Sequence, residues 1–268
     1  MIVNQSVFNI ISPELHPFIS NYYLFEFSNE TAESIRFKVP PTGFPTLLFC
    51  YGNKINFFQH KHLTNESIIV GQLSKHVNLY PVDGTKLFGV NFKPYGFYNL
   101  TGVSLKGLVN GAIESTAIFP EAEIEAIDNC FQLSPNRTEC MGSLEALLLK
   151  TRVCVRNNNF LDRIVDEILE RNGLIDPYSL THGKISARSF QRYFNEVIGI
   201  NPKLFCQILR HKFILQQLYE NPGLTWNEMV HNGYYYDYSH FQKDFIKFTG
   251  VKPFEYLQLK NPFAGKLL

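Results

Sequence analysis

Residues 186–205, SARSFQRYFNEVIGINPKLF, and residues 237–256, DYSHFQKDFIKFTGVKPFEY, are two copies of one pattern set about fifty residues apart. Phe190, Gln191, Arg192, Phe194, Gly199, Pro202 and Phe205 recur, in order and spacing, as Phe241, Gln242, Lys243, Phe245, Gly250, Pro253 and Tyr256. Aromatic residues four positions apart share one helical face, so Phe190 with Phe194 and Phe241 with Phe245 mark a side that packs. The Gln and the cation between them point elsewhere. A glycine able to adopt the left-handed conformation ends each helix, and a proline three residues on suits the first turn of the next. Another short helical segment closing on a glycine precedes each copy, Ser179 to Gly183 and Trp226 to Gly233. Two helices joined by a tight glycine-containing turn, the second displaying polar side chains, form the helix-turn-helix arrangement whose second helix enters the DNA major groove.

Between the copies, Pro202 to about Tyr219 carries Leu204, Phe205, Ile208, Leu209, Phe213 and Leu218 and is long enough to be a rigid rod. Two recognition helices reading successive major grooves from one side must lie about 34 Å apart, and a rod of this kind would fix their distance. Upstream, Asn159 can cap a helix whose apolar positions Leu161, Ile164, Val165, Ile168 and Leu169 follow the helical period and which ends by Gly173. The three consecutive asparagines within 155–159 mark the expected domain boundary, dividing 1–155 from 156–268. Within the second unit, motif one spans about 176–199, the linker helix about 202–219 and motif two about 225–250.

The first unit reads differently. Seven segments rich in aromatic and β-branched residues are candidate strands: 22–27, 35–39, 46–51, 55–59, 67–71, 76–80 and 86–92. Turn residues separate them at Pro40-Pro41-Thr42-Gly43, Gly52-Asn53, Thr64-Asn65 and Asp83-Gly84. Short strands with no long helices between them predict an antiparallel barrel or sandwich, so the whole chain is expected to be α+β. Helix and turn are expected over 94–108. Helices are expected over 121–131 and 138–153, the last with a broad apolar face of Met141, Leu144, Leu147, Leu148 and Leu149. Helices that follow a barrel commonly make the dimer contact or pack back on it, and a homodimer is expected.

With 268 residues and 45% apolar content, two units can each bury a core. The net charge of +1 hides an asymmetry: residues 171–268 hold 12 Lys/Arg against 7 Asp/Glu, whereas 1–170 hold 13 against 17. So modest a surplus predicts weak non-specific DNA affinity with a strong salt dependence. Five cysteines, at 50, 130, 140, 154 and 206, show neither metal spacing nor a disulfide framework and fit a reducing compartment. Neither a signal peptide nor a run approaching eighteen apolar residues is seen, so a cytoplasmic protein without membrane association is expected.

Two stretches resemble the signatures of the AraC/XylS-type transcriptional regulators. The first is Ile185-Ser186-Ala187-Arg188-Ser189-Phe190-Gln191-Arg192-Tyr193-Phe194, followed by Gly199-Ile200-Asn201-Pro202. The second runs from Tyr235 through Phe245, followed by Phe248-Thr249-Gly250-Val251-Lys252-Pro253. The resemblance covers roughly residues 158–259. It implies a C-terminal all-α domain with two helix-turn-helix motifs joined by a long helix, an N-terminal cupin-like barrel receiving a small-molecule effector, and double-stranded DNA and RNA polymerase as partners. Residues 90–96 also look like the junction where, in some members, barrel hands over to helices. Two departures stand out: Lys184 and Tyr234 occupy the turn position usually held by glycine, with Gly183 and Gly233 one place earlier. Bulkier residues, Leu180 or Thr181 and Val230, replace the usual small residue inside the preceding helix.

With the paired aromatics packed, Arg188, Gln191 and Arg192 are left to face DNA from the first recognition helix. Tyr238, Ser239, Gln242 and Lys243 do so from the second. Arg can pair bidentately with guanine and Gln with adenine. Lys203 and Lys252, beside the helix starts at Pro202 and Pro253, are candidate phosphate contacts. Asp244 would repel phosphate and is expected to point away, and at least two rings of Tyr234, Tyr235 and Tyr236 are expected to pack. Phe57, Phe58 and Tyr80 are candidate effector contacts, set against ordinary core packing. Two other functions compete. His60, His62 and His76 near strand ends could hold a metal in a cupin-like metalloenzyme, although no further ligands follow at matching spacing. A sensor or adaptor that no longer binds DNA is the other. No phosphate loop, Ser-His-Asp arrangement or activated cysteine is visible, so no catalytic residue, metal or cofactor is assigned.

Overall fold

The computed structural model describes residues 2–10, 12–28, 37–53, 55–57, 61–63, 67–134, 136–152, 159–221, 223, 225–230 and 235–258. The expected boundary at 155/156, Phe58, His60, Gly233, Tyr234 and the tail after Asn261 lie outside them.

The N-terminal region builds two antiparallel sheets. Strands β1 (Ile2–Phe8), β2 (Ile19–Ser28), β4 (Thr46–Gly52), β7 (Ile68–Val70), β9 (Thr85–Phe92) and β10 (Ala112–Glu114) form the larger, in the order β1-β2-β9-β4-β7-β10. The smaller holds β3 (Phe37–Val39), β5 (Ile55–Phe57), β6 (Lys61–Leu63) and β8 (Val77–Tyr80), in the order β3-β8-β5-β6. Alternation along β2 explains the layering, because successive side chains leave opposite faces of a strand. Tyr23, Phe25 and Phe27 meet Phe37 and Leu79 in one core between the sheets. Tyr22 and Leu24 join Phe49, Phe88, Val90 and Phe92 in another, on the opposite face.

That second face is covered by a helical hairpin, α2 (Glu121–Leu133) and α3 (Arg137–Thr151), whose Ile124, Ile127, Phe131, Met141, Leu144 and Leu148 press onto the sheet. With both faces covered, the central strands read as near-continuous apolar runs. The Glu145 side chain is sealed in this layer: 1% exposed, it accepts from the Ser12 amide at 2.7 Å and the Tyr22 hydroxyl at 2.9 Å. The hairpin also corrects the expectation that no cysteines pair. It brings the Cα atoms of Cys130 and Cys140 to 5.6 Å and the two are disulfide-bonded, while Cys50 and Cys206 are free and buried. A pairing made by antiparallel helices leaves no trace in cysteine spacing.

A short helix, α1 (Gly96–Thr101), leads out of β9. The C-terminal helical domain holds α4 (Asn159–Glu170), α5 (Ala187–Ile198), α6 (Pro202–Glu220), α7 (Trp226–Met229), α8 (Tyr238–Thr249) and α9 (Pro253–Gln258). Its two cores share α6, which is about 28 Å long at 1.5 Å per residue. Phe205, Cys206, Ile208 and Leu209 belong to the first core, with Phe190 and Phe194; Ile214, Leu215 and Leu218 belong to the second, with Phe241 and Phe245. Side-chain caps fix the helix starts: Ser186 accepts from the Ser189 amide, Asn201 from Leu204 and Asp237 from His240. Gly199 (φ 92°) and Gly250 (φ 73°) end α5 and α8 in the left-handed region. Only a 3-10 turn, Ser179–Thr181, stands where the first motif's leading helix is expected, and His182 (φ 47°) and Gly183 (φ 71°) both turn left-handed after it. The shifted glycine therefore ends that turn.

Candidate nucleic-acid interface

Helices α5 and α8 each bury the aromatic pair and expose the edge between its members. Phe190, Phe194, Phe241 and Phe245 are all 0% exposed, whereas Arg188, Gln191, Arg192, Tyr238, Ser239 and Lys243 are exposed and Gln242 is half-buried. Burial of two phenyl rings per helix forces this orientation, since turning the cations inward would bury unpaired charge. Lys203 and Lys252 are exposed too, and the Lys203 ammonium lies 5.7 Å from the centre of the Tyr178 ring. Asp244 is 8% exposed beneath α8 and lies near Tyr235, away from the exposed edge. Of the tyrosine run, Tyr235 packs in the second core, whereas Tyr236 is 96% exposed.

Beneath the second motif, His211 of α6 lies between the rings of Phe245 and Phe248. Complete burial pulls its pKa down to about 3, so the imidazole is neutral at physiological pH and acts as an aromatic filler. Sequence reading overlooked it because a lone histidine on an apolar helix carries no motif.

The N-terminal sheets reach the helical domain from behind. Lys38 Nζ donates to the Gly250 carbonyl at 2.6 Å, and His76 Nδ1 lies 3.5 Å from the Lys247 carbonyl. At the matching positions of the first copy, Ser104 Oγ donates to the Glu196 carbonyl at 2.7 Å, and the Leu105 backbone lies against Gly199. A side chain at Gly250 would collide with the His76 ring. Both α5 and α8 are thus held at their C-terminal ends, where carbonyls and the helix dipole favour donors and cations, and their polar edges stay open. His76 therefore faces α8, and among the described residues no group of three or more His, Cys, Asp or Glu could hold a metal.

Further contacts tie the halves together. Gly43 faces Phe205, Ile208 and Leu209, and the Lys212 ammonium sits 4.6 Å from the centre of the Phe44 ring, where burial lowers its pKa to about 8. Tyr95 donates to Asp166 and Asn99 to Asp162, each at 2.9 Å. Asp162 has its pKa raised from 3.8 to about 6, chiefly by burial and secondarily by Asp166, against the hydrogen bond from Asn99 and the charge of Lys93. The native state thus holds an extra proton between about pH 4 and 6. The resulting stability is full below about pH 4 and lost as pH rises through about 6. Relative to Asp162→Asn, the wild-type chain is expected to lose about 1–2 kcal/mol between pH 4 and 7, discounted for partial exposure. Urea unfolding of both proteins across that range checks it; parallel curves would refute it.

Within the sheets, a cavity of about 60 Å³ is lined by residues including Tyr23, Val39, Phe44, Thr46, Leu48, Val77 and Asn91. Tyr80 is half-buried and does not line it; Phe57 belongs to β5. Among the described residues no helix is long and apolar enough to cross a membrane.

Residues 181–259 match a family of helix-turn-helix domains, and residues 12–114 match a domain family of unknown function, DUF6597. No curated protein matches the chain. Among solved structures, ToxT from Vibrio cholerae is similar over 96% of this chain and 98% of its own, with 7% sequence identity and a TM-score of 0.50. ToxT with unsaturated fatty acid bound is similar over 96% and 94%, at 10% identity and a TM-score of 0.49. The form bound to (E)-4-(8-methylnaphthalen-1-yl)but-3-enoic acid is similar over 96% and 98%, at 8% identity and a TM-score of 0.49. At 7% identity the first likeness shows a shared fold: an antiparallel sheet region with following helices, then a helical domain.

Proposed function

We propose, from the premise that this chain is a DNA-binding regulator with an AraC-type helix-turn-helix domain, that α5 and α8 read one operator from one side. The contacts are Arg188, Gln191 and Arg192 on the first helix and Tyr238, Ser239, Gln242 and Lys243 on the second. Lys203 and Lys252 hold flanking phosphates. The observation that carries this reading is the duplicated exposed edge set over a duplicated buried aromatic pair. Either half could be a solvated helix face; the recurrence of both, joined by one continuous helix, is what a two-groove reader requires.

In the same reading, residues 1–155 form the sensing unit and 156–268 the DNA-binding unit, in a cytoplasmic homodimer that answers to RNA polymerase and performs no catalysis of its own. A small effector would enter between the sheets. The cavity there is far below the roughly 300 Å³ at which ligand pockets begin, so binding would have to open it, by differential affinity for the opened state.

Gel shift against random genomic fragments, at low and at physiological salt, tests the DNA-binding reading. A retained fragment is expected, with log affinity falling against log salt at a slope of about −2 to −4, for two to four neutralised phosphates. Retention of no fragment at either salt would favour the adaptor reading.

A further inference from the structure

The exposed edge of α5 does not stand alone. It forms one wall of a cleft of about 480 Å³ lined by Arg188, Ser189, Gln191, Arg192 and Asn195, and the opposing residue is Lys106, from the segment that follows α1. Three cations, two amides and a hydroxyl line this space, with no carboxylate among the described residues that line it. Lys106 is also fixed there. Ser104 Oγ donates to the Glu196 carbonyl of α5 and accepts the Lys106 amide at 3.1 Å, so one hydroxyl ties the lysine's backbone to the recognition helix. Leu105, 1% exposed, packs against the turn at Gly199 and holds the segment from the other side.

We propose that Lys106 belongs to the DNA interface: when α5 lies in the major groove, its ammonium meets a backbone phosphate of the strand bordering that groove. The inference rests on the DNA-binding reading above and extends it, because the sheet-bearing half of the chain then touches DNA directly. A helix in a groove about 12 Å wide is flanked by phosphates, and a cation carried beside the helix reaches the backbone before any base edge. Lys106 therefore adds affinity without adding sequence preference. It also gives the first motif, whose leading helix is only a 3-10 turn, a second hold on the duplex.

Full-length wild type, Lys106→Ala, Lys106→Arg and Arg192→Ala should be compared on one retained fragment across a salt series. Lys106→Ala is expected to weaken binding about 3- to 10-fold at 0.1 M salt and to flatten the salt slope by about 0.9, equally on matched and mismatched sites. Lys106→Arg should keep both values. The side chain is exposed, so its removal leaves the fold intact. Wild-type affinity and slope in Lys106→Ala, alongside loss of specificity in Arg192→Ala, would overturn this proposal while leaving the DNA-binding reading in place. Failure of the wild-type protein to bind any fragment would remove both.

Discussion

Arg192→Ala combined with Lys243→Ala is expected to remove about 2–6 kcal/mol of sequence-specific binding, about 30-fold to 10⁴-fold in affinity. Each good bidentate or charge-assisted base contact contributes about 1–3 kcal/mol of discrimination. The two residues sit on different helices whose aromatic pairs pack in different cores, so their effects should add. Both side chains are exposed, so the double variant should unfold at the wild-type denaturant midpoint. Non-specific binding at low salt should survive in part, since Lys203 and Lys252 are untouched. The measurement is a competition titration of the selected fragment against scrambled DNA. Undiminished preference for the selected fragment would mean that the reading faces lie elsewhere on α5 and α8.

Phe194→Ala is expected to cost about 3–5 kcal/mol of stability, which is the usual loss when a fully buried phenyl ring is truncated. The ring is 0% exposed and lies between Phe190 and Phe205, at 5.6 Å from each. Its core also takes in Tyr95 and, at its margin, Tyr98, both from the N-terminal half. Truncation should therefore loosen the junction between the halves as well as the first motif. Phe245→Ala, the equivalent change in the second copy, opens a core built from the end of α6, Trp226 and Tyr256. Its damage should remain in motif two. A domain stabilised by only about 5–15 kcal/mol cannot absorb either change unnoticed. Urea unfolding followed by hydrogen exchange distinguishes them: loss of protection in α1 and α4 is expected for Phe194→Ala only. A cost below about 1 kcal/mol for Phe194→Ala would place the buried face of α5 wrongly.

The parts of this structure legible in the sequence are those with local periodicity. Phe190 and Phe194 announce a buried face, Gly199 and Gly250 the stops, and all of these stand where expected. The candidate strands at 22–27, 46–51 and 86–92 likewise became β2, β4 and β9. Strand β1 escaped notice because Asn4, Gln5 and Ser6 interrupt its apolar pattern; it is fixed by pairing along the whole of its length with β2. The contacts made by Lys38, His76 and Ser104 were equally invisible. Each joins residues far apart in the chain through a backbone carbonyl, and a carbonyl leaves no mark on side-chain pattern. His76 illustrates the hazard, since histidines near strand ends suggest a metal and this one instead abuts a helix terminus.

Because Ser104 and His76 meet the trailing ends of α5 and α8 at equivalent points of the duplication, a shift of the N-terminal half would, in the DNA-binding reading, steer both readers at once. Linkage then runs backwards: whatever small molecule alters operator affinity from within the sheets must have its own dissociation constant altered by the operator, by an identical factor. Genomic sites would in that case sharpen or dull the protein's sense of its signal, and molecules parked on DNA would respond over a different concentration range from those free in solution.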